Sequence, residues 1–328
     1  NNKFSKLISD WYLVNGRDYL PWRKQVTPYR IWISEIMLQQ TQVQTVIPFF
    51  ERFISKYPNL KSLSVASEDE ILALWSGLGF YRRAKNIYKT KEIIKHDYQN
   101  IFPKKFEELI ALPGIGKSTA GAIMSLAYQE PYPILDANVK RVISRFENIE
   151  RDEKKLWKLS EKLTPKNNIF AYTQGIMDLG ATACSVREPE CQSCPVVKIC
   201  SSAFQTSVQA PKKNKEKSIK KINFTLAHSQ QSFLLFKKEE KTFWESLWIP
   251  FDNENSKKEM IFKKPKKTKI TNINHALSHL NLDITVEIFE YNAPFKIKTN
   301  LTHQWITKDD IHNYGLPKPI KTIIENYV

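Results

Sequence analysis

The chain has 328 residues, of which 41% are hydrophobic, so it can bury a real core, and its length is typical of two domains. This composition excludes disorder as the default, and the charge of +16 favours a polyanionic partner such as nucleic acid. No apolar run reaches the roughly 18–20 residues of a membrane-spanning helix, and no signal-peptide pattern is seen, so we expect no membrane partner and a cytoplasmic location.

Helical periodicity dominates the first part of the chain, from residue 3 to about 204. Helix starts are indicated by Thr27-Pro28, by the capping box Ser67-Glu68-Asp69-Glu70 and by Pro103. Eight of the nine glycines fall in this part, mostly between the helical segments. We therefore predict an all-α domain over residues 1–204.

A domain boundary follows at Gln205–Lys221, which contains six lysines and one glutamate and is typical of a solvated linker. Beyond it, short β-branched and aromatic runs predict strands within Phe224–Phe236, Phe243–Pro250 and Leu282–Tyr291. A closing helix is expected at Ile320–Tyr327. The predicted organisation is a basic linker over 205–222 and an α+β domain over 223–328.

Glu35 stands in an apolar helical segment. The residues three and four positions away are Ile31, Trp32, Leu38 and Gln39. Because none of them is a cation, the carboxylate would be half-buried with a raised pKa, as suits a general acid near neutral pH. The alternative is an ion pair with a distant arginine such as Arg23 or Arg30.

The segment Leu112–Ala120 places Gly114 and Gly116 in a tight turn between two predicted helices. Backbone N–H groups at the start of the second helix, beside Lys117, suit a DNA phosphate. A nucleotide-binding P-loop would need glycine where Ala111 stands, so ATP binding is excluded. An ordinary turn between two helices is the remaining alternative.

Asp136 stands where an apolar stretch meets the start of a predicted helix, and an N-cap role is its simplest interpretation. Glycosidic cleavage, however, uses two carboxyl groups, one acid for the leaving group and one anion beside the cationic sugar. Asp136 would supply the second beside Glu35, although the spacing in sequence does not by itself bring the two together.

All four cysteines of the chain fall within seventeen residues: Cys184, Cys191, Cys194 and Cys200. In a reducing compartment they would remain thiols and could ligate a metal. The ligand set alone fits tetrahedral zinc as well as a [4Fe–4S] cluster.

Together these motifs resemble the helix-hairpin-helix glycosylase superfamily, and Pro28–Gln42 is similar to the MutY-type adenine DNA glycosylases. The likeness covers residues 10–204 densely. It implies a [4Fe–4S] cluster on the four cysteines. It also implies a monomeric, nucleoid-associated hydrolase whose partner is duplex DNA containing adenine opposite 8-oxoguanine or guanine.

The same resemblance implies that Glu35 protonates the adenine and that Asp136 stabilises the sugar cation. The implied base-pocket residues are Trp22, Arg23, Ser118 and Asn138, and the side chains that enter the stack as the base flips are Gln40 and Phe80. Where Phe80 stands the family often has tyrosine, so a hydroxyl is missing. Ala137 replaces a usual glycine beside Asp136, so the backbone there must tolerate a Cβ.

Bifunctional relatives of the endonuclease III type carry a Schiff-base lysine at the position of Ser118. Lys117, one residue away, would point elsewhere, so we expect a monofunctional glycosylase. The alternatives are a glycosylase/lyase for oxidised pyrimidines and a non-catalytic DNA-binding protein with a structural metal. The second would leave the apolar setting of Glu35 without a reason.

The C-terminal segments Trp244–Pro250 and Asn274–His279 are similar to the Nudix-like domain that reads 8-oxoguanine in this family. A working Nudix hydrolase box needs two glycines and an arginine, whereas this domain has one glycine and no arginine. We therefore expect a reader without hydrolase activity. Ser278 and His279 are the expected reading residues, and Leu277 replaces an aromatic residue of the family.

Overall fold

The computed structural model describes residues 2–149, 152–205, 217–240, 242–254, 262–277 and 280–326. The chain divides into two compact units. The helical unit comprises Asn1–Val65 and Asn86–Ala210, and the mixed unit comprises Ala66–Lys85 and Pro211–Val328. A short segment from the helical part of the sequence therefore packs with the C-terminal residues. None of the described helices is long and apolar enough to cross a membrane.

Eleven α-helices are described before residue 182: α1 Asn2–Asn15, α2 Pro28–Leu38, α3 Val43–Lys56, α4 Leu60–Leu63, α5 Glu68–Trp75, α6 Arg82–Asp97, α7 Phe106–Ile110, α8 Lys117–Ala127, α9 Ala137–Phe146, α10 Glu153–Leu163 and α11 Ile169–Ala181. Two predicted starts are confirmed. The Thr27 hydroxyl caps α2, and Ser67 with Glu70 forms the capping box of α5. The start predicted at Pro103 is wrong by three residues, because α7 begins at Phe106 and Pro103 is buried ahead of it.

Helix α2 is the centre of the helical unit. Seven of its eleven residues are buried, including Trp32, Ile33 and Met37, because apolar side chains occur on almost every side of the helix. It packs on α3 and α8, while α11 packs on α1, α8 and α9. Glu35 is therefore carried on a largely buried helix of this unit.

The mixed unit is built on one sheet. Its strands are β1 Ser218–Ser229, β2 Ser232–Lys237, β3 Trp248–Ile249, β4 Phe251–Asp252, β5 Lys267–Ala276, β6 Leu280–Tyr291 and β7 His303–Thr307, and helix α12 spans Lys318–Asn326. The order β3-β2-β1-β6-β5 places β1 parallel to β6, with Ile222 opposite Ile284, and the other pairs are antiparallel. Strands β4 and β7 pair with β1 and β2.

The observed architecture confirms the predicted fold class, an all-α domain followed by an α+β domain. The differences lie at exposed strands. Strand β1 begins at Ser218, within the stretch 205–222 that reads as a linker. Strand β5 includes Asn274–Ala276, which the sequence motif places between strands, and neither β5 nor β7 stands out in the sequence.

Candidate active site

Glu35 is partly exposed in the middle of α2, between buried Ser34 and Ile36. Its pKa is raised to about 8, first by burial and then by the nearby Asp136 carboxyl, against the lowering effect of the Arg23 charge. The structure therefore brings the Asp136 carboxyl, which is distant in the sequence, and the Arg23 guanidinium within electrostatic reach of Glu35.

Arg23 forms its ion pair with Asp178 and not with Glu35. Both of its terminal nitrogens donate to Asp178, at 2.6 and 2.7 Å, and Arg17 donates to the same carboxylate at 2.7 Å. Burial by itself would raise the pKa of Asp178, but the hydrogen bonds and charge of Arg23, with those of Arg17, hold it below its usual range. Arg30 donates to a backbone carbonyl at 2.9 Å. Neither arginine forms the ion pair that was the alternative interpretation of Glu35.

Asp136 does cap α9, as its position in the sequence suggests. Its Oδ1 accepts the Val139 N–H at 2.7 Å, and the Asn138 N–H also contacts the carboxylate. Burial raises its pKa, while these hydrogen bonds and the charges of Arg141 and Lys140 oppose the rise. The N-cap and the electrostatic contact with Glu35 are therefore properties of one side chain.

A residue at the start of α8 binds the backbone just before Asp136. The Ser118 hydroxyl accepts the Leu135 N–H at 2.9 Å. Lys117 is directed elsewhere, because its ammonium lies 3.2 Å from the Glu161 carboxylate and 4.1 Å from the centroid of a tryptophan ring on α10. The two neighbouring side chains therefore have different surroundings.

The turn between α7 and α8, which the sequence predicts to bind a DNA phosphate, has a constrained backbone. Gly114 has a φ of +82°, and a Cβ there would lie 2.8 Å from the Asn86 side chain, so glycine is required. Gly116 precedes α8 without a side-chain cap, which leaves the first N–H groups of the helix for another acceptor. The Gln39 side chain donates to the Gly114 carbonyl at 3.4 Å.

The predicted pocket residues Trp22 and Asn138 have partners within the protein. Trp22 is 5% exposed, its ring edge-on to Phe50 at 5.5 Å. Asn138 accepts a hydrogen bond from Arg141 at 2.8 Å. Ala137 is exposed, so its Cβ is accommodated.

Gln40 and Phe80 both have left-handed backbone, with φ of 57° and 51°. Gln40 belongs to the helical unit and Phe80 to the mixed unit. Leu277 donates its N–H to the Leu280 carbonyl at 2.8 Å. Ser278 and His279 lie outside the described residues.

The four cysteines line one pocket, together with apolar side chains of α9 and α11. The pKa of Cys194 is raised to about 11, by burial and by the other three thiols, which shows how close they lie. Each sulfur atom accepts an N–H hydrogen bond: Cys184 from the Arg145 side chain, Cys191 from Phe204, Cys194 from Val196 and Cys200 from Ser202. N–H donors of this kind suit anionic sulfur ligands.

Two residues beside the candidate sites, Asp178 and Arg145, were not predicted from the sequence. Asp178 resembles Glu35 in being a lone acid in an apolar helix, so the same pattern could have revealed it. Arg145 lies on α9 nine residues after Asp136 and donates to Cys184 at 3.4 Å. Its basic character at a helix end gave no specific signal, because cations at that position are common.

Comparison with known protein families shows the class of protein to which the chain belongs. Residues 33–166 match the family model of the HhH-GPD superfamily base excision DNA repair proteins, and residues 223–326 match that of the NUDIX domain. A solved thermostable thymine-DNA glycosylase is 32% identical, with a TM-score of 0.56 over 61% of this chain and 94% of that one. An endonuclease III–DNA complex shares the fold, with 23% identity and a TM-score of 0.53, over 61% of this chain and 93% of that one.

Full-length relatives define the family more narrowly. The adenine DNA glycosylases of Buchnera aphidicola subsp. Schizaphis graminum and subsp. Acyrthosiphon pisum are 44% and 41% identical to this chain. The alignments cover 98% and 99% of this chain and 98% and 97% of the relatives. The chain therefore belongs to the adenine DNA glycosylase family, as its resemblance predicted, and it is a DNA glycosylase that hydrolyses N-glycosyl bonds.

Proposed function

We propose that this enzyme flips adenine out of duplex DNA and hydrolyses its N-glycosidic bond when the adenine lies opposite 8-oxoguanine or guanine. The observation that carries the proposal is the pairing of Glu35, whose pKa is raised to about 8, with the Asp136 carboxyl. Family membership supports adenine as the base. We place the monomeric enzyme in the bacterial cytoplasm, at the nucleoid where its substrate is.

The two carboxyl groups take different roles because their surroundings differ. Glu35 accepts no hydrogen bond from a described residue and retains its proton at neutral pH, so it protonates the departing adenine. Burial raises the pKa of Asp136, whereas the backbone N–H groups that it accepts favour its ionised form, and in that form its negative charge stabilises the oxocarbenium-like sugar. Water then adds to the sugar, and an abasic site remains.

Hydrolysis without strand cleavage follows from the hairpin. A lyase needs an amine that attacks the sugar, and the position beside Leu135 holds the Ser118 hydroxyl instead. The Lys117 amine is engaged by Glu161. The enzyme is therefore monofunctional, and the glycosylase/lyase alternative lacks its nucleophile.

DNA is held mainly through phosphates, as the net charge of +16 favours. Gly114, Gly116 and Lys117 contact the backbone at the start of α8, while Gln40 and Phe80 enter the stack. Trp22, Arg23 and Asn138 line the base pocket beside Glu35. Ser278 and His279 read the opposite base, and the C-terminal domain has no hydrolase activity of its own.

The four thiols hold a [4Fe–4S] cluster. Four soft ligands, each with an N–H donor, surround one pocket with apolar walls, which is the chemistry that an iron–sulfur centre requires. When bound, the cluster would fix the loop that follows α11.

The test compares the parent with Glu35→Gln and with Glu107→Gln, a control at an exposed glutamate on α7. The substrates are duplexes with adenine opposite 8-oxoguanine, guanine or thymine. We expect Glu35→Gln to lose at least about 10²-fold in single-turnover excision while binding almost as tightly, because phosphate contacts supply most of the affinity. The control should match the parent.

Three outcomes would contradict the proposal. Excision by Glu35→Gln at the parent rate would show that Glu35 is not the general acid. Strand breaks without alkali, together with a borohydride-trapped adduct, would establish the lyase alternative. Tight binding by the parent without any excision would indicate a non-catalytic DNA-binding protein.

A further inference from the structure

The loop that carries Phe80 has an unusual backbone. Gly77, Gly79 and Phe80 all have positive φ, of 99°, 77° and 51°. The left-handed region is unfavourable for a residue with a Cβ, so the conformation of Phe80 must be imposed by its surroundings. Its side chain is nevertheless 44% exposed. An exposed ring on a constrained backbone suggests a side chain kept ready for a partner.

Contacts within the loop explain part of the constraint. The Gly79 carbonyl accepts the Trp75 indole N–H at 3.0 Å and the Arg83 side chain at 3.1 Å. The Arg83 guanidinium is nearly buried and lies 5.4 Å from the Trp75 ring centroid and 5.3 Å from the Phe80 ring centroid. These contacts orient the ring of Phe80 relative to the end of α5.

Leu316, in the C-terminal sequence, makes further contacts that constrain the Phe80 loop. The carbonyl of Leu316, a residue 2% exposed, accepts the Ser76 hydroxyl at 2.8 Å and the Tyr81 hydroxyl at 3.3 Å. The Tyr81 oxygen also accepts the Gly77 N–H at 3.4 Å. One carbonyl from the C-terminal sequence therefore joins both sides of the Phe80 loop.

Charged contacts attach the flanking segments to the same unit. Asp69, at the start of α5, accepts the Trp248 indole N–H at 3.0 Å and lies 3.2 Å from the Lys237 ammonium. Lys85, just beyond the loop, pairs with Glu245 at 2.8 Å. The loop is thus tied to the C-terminal fold before, within and after Phe80.

We propose that Ser76 and Tyr81, through the Leu316 carbonyl, are positioning residues that hold Phe80 in the conformation that enters the base stack. The C-terminal sequence would then both read the base opposite adenine and hold the side chain that displaces adenine. This proposal rests on the proposed function, since it takes Phe80 as the wedge.

The test uses the full-length double variant Ser76→Ala/Tyr81→Phe. The matched control is Ser64→Ala/Tyr128→Phe, which also removes a serine and a tyrosine hydroxyl that donate to backbone carbonyls. The readout is the fluorescence of 2-aminopurine placed opposite 8-oxoguanine, which rises when the base leaves the stack. Each lost hydrogen bond should weaken the held conformation by about fivefold, so the double variant should reduce extrusion by at least roughly tenfold.

A second substrate separates positioning from general damage. Adenine opposite an abasic site needs no displacement of a partner base, so the double variant should excise it at close to the parent rate. Slow excision from the paired duplex with near-normal excision from the abasic one supports the proposal. Extrusion equal to the parent's, or equal losses on both substrates, overturns it. If the parent itself gives no rise in fluorescence, base flipping fails first, and the positioning role fails with it.

Discussion

At the level of single residues, the pKa of Glu35 makes a direct prediction about pH. Because the pKa is raised to about 8, the acid is protonated below that pH and ionised above it. We expect kcat/KM for excision to be nearly constant from pH 6 to 7 and to fall as pH rises through about 8. Single-turnover rates between pH 6 and 9.5, on one duplex, would measure this. A rate that still climbs above pH 8 would show that Glu35 does not act as the acid.

Asp136 combines a structural and an electrostatic role, and two substitutions separate them. Asp136→Asn keeps an oxygen for the Val139 N–H but removes the charge, so excision should fall by about 10²-fold or more while the thermal midpoint changes little. Asp136→Ala also loses the cap, which costs about 1 kcal/mol. Thermal unfolding alongside excision would distinguish them. If Asp136→Asn turned over like the parent, its role would be the cap alone.

We expect Asp178 to influence Glu35 through Arg23, the cation that Asp178 binds. Asp178→Asn would remove the anion that neutralises Arg23, and the uncompensated guanidinium would stabilise the ionised form of Glu35. We expect the alkaline fall of the excision rate to move to lower pH. Leaving a buried cation unpaired costs about 3–5 kcal/mol, so the profile should be recorded at a temperature where circular dichroism shows the variant folded. An unmoved profile in folded protein would contradict this coupling.

At the level of elements, the close approach of α5 to the C-terminal chain depends on Gly315. A Cβ at this position would lie 2.5 Å from the Leu72 Cβ, so one of the two segments must move. We expect Gly315→Ala to destabilise the protein by about 1–3 kcal/mol, in the range of overpacked cores. Gly116→Ala is the control for overpacking, because nothing lies near its added Cβ and its own cost is limited to the weaker N-cap preference of alanine. Equal thermal midpoints for the two variants would show that α5 adjusts without cost.

Some secondary-structure elements could be predicted from sequence patterns alone, and others could not. Helix α2 and the hairpin were predictable because apolar periodicity, an N-cap threonine and paired glycines each have a local cause. Strand β5 was not, since most of its residues are exposed and polar and its pairing with β6 supplies the order. The convergence of Glu35, Asp136 and Arg23 is likewise a tertiary fact that spacing does not encode. The bond between Arg23 and Asp178 spans 155 residues of sequence.

At the level of the whole molecule, the proposed cluster predicts a simple composition. The purified protein should be yellow-brown and contain about four iron atoms per chain. Because the chain has four cysteines in all, denaturation with chelator should release four titratable thiols. Stoichiometric zinc in protein prepared without oxygen would restore the zinc alternative. Serine substitution of Cys194, which lies among the other three thiols, should lower the iron content.

The membership of Ala66–Lys85 in the mixed unit has a consequence for how such genes can recombine. A crossover near residue 205 would transfer the C-terminal strands to a new parent but leave α5 and the Phe80 loop behind. In the hybrid, Asp69 would face the residues that the other parent has in place of Trp248 and Lys237. Leu72 would likewise face the residue that the other parent has in place of Gly315. Hybrids that inherit both segments from one ancestor should therefore be recovered more often than hybrids joined at the linker alone.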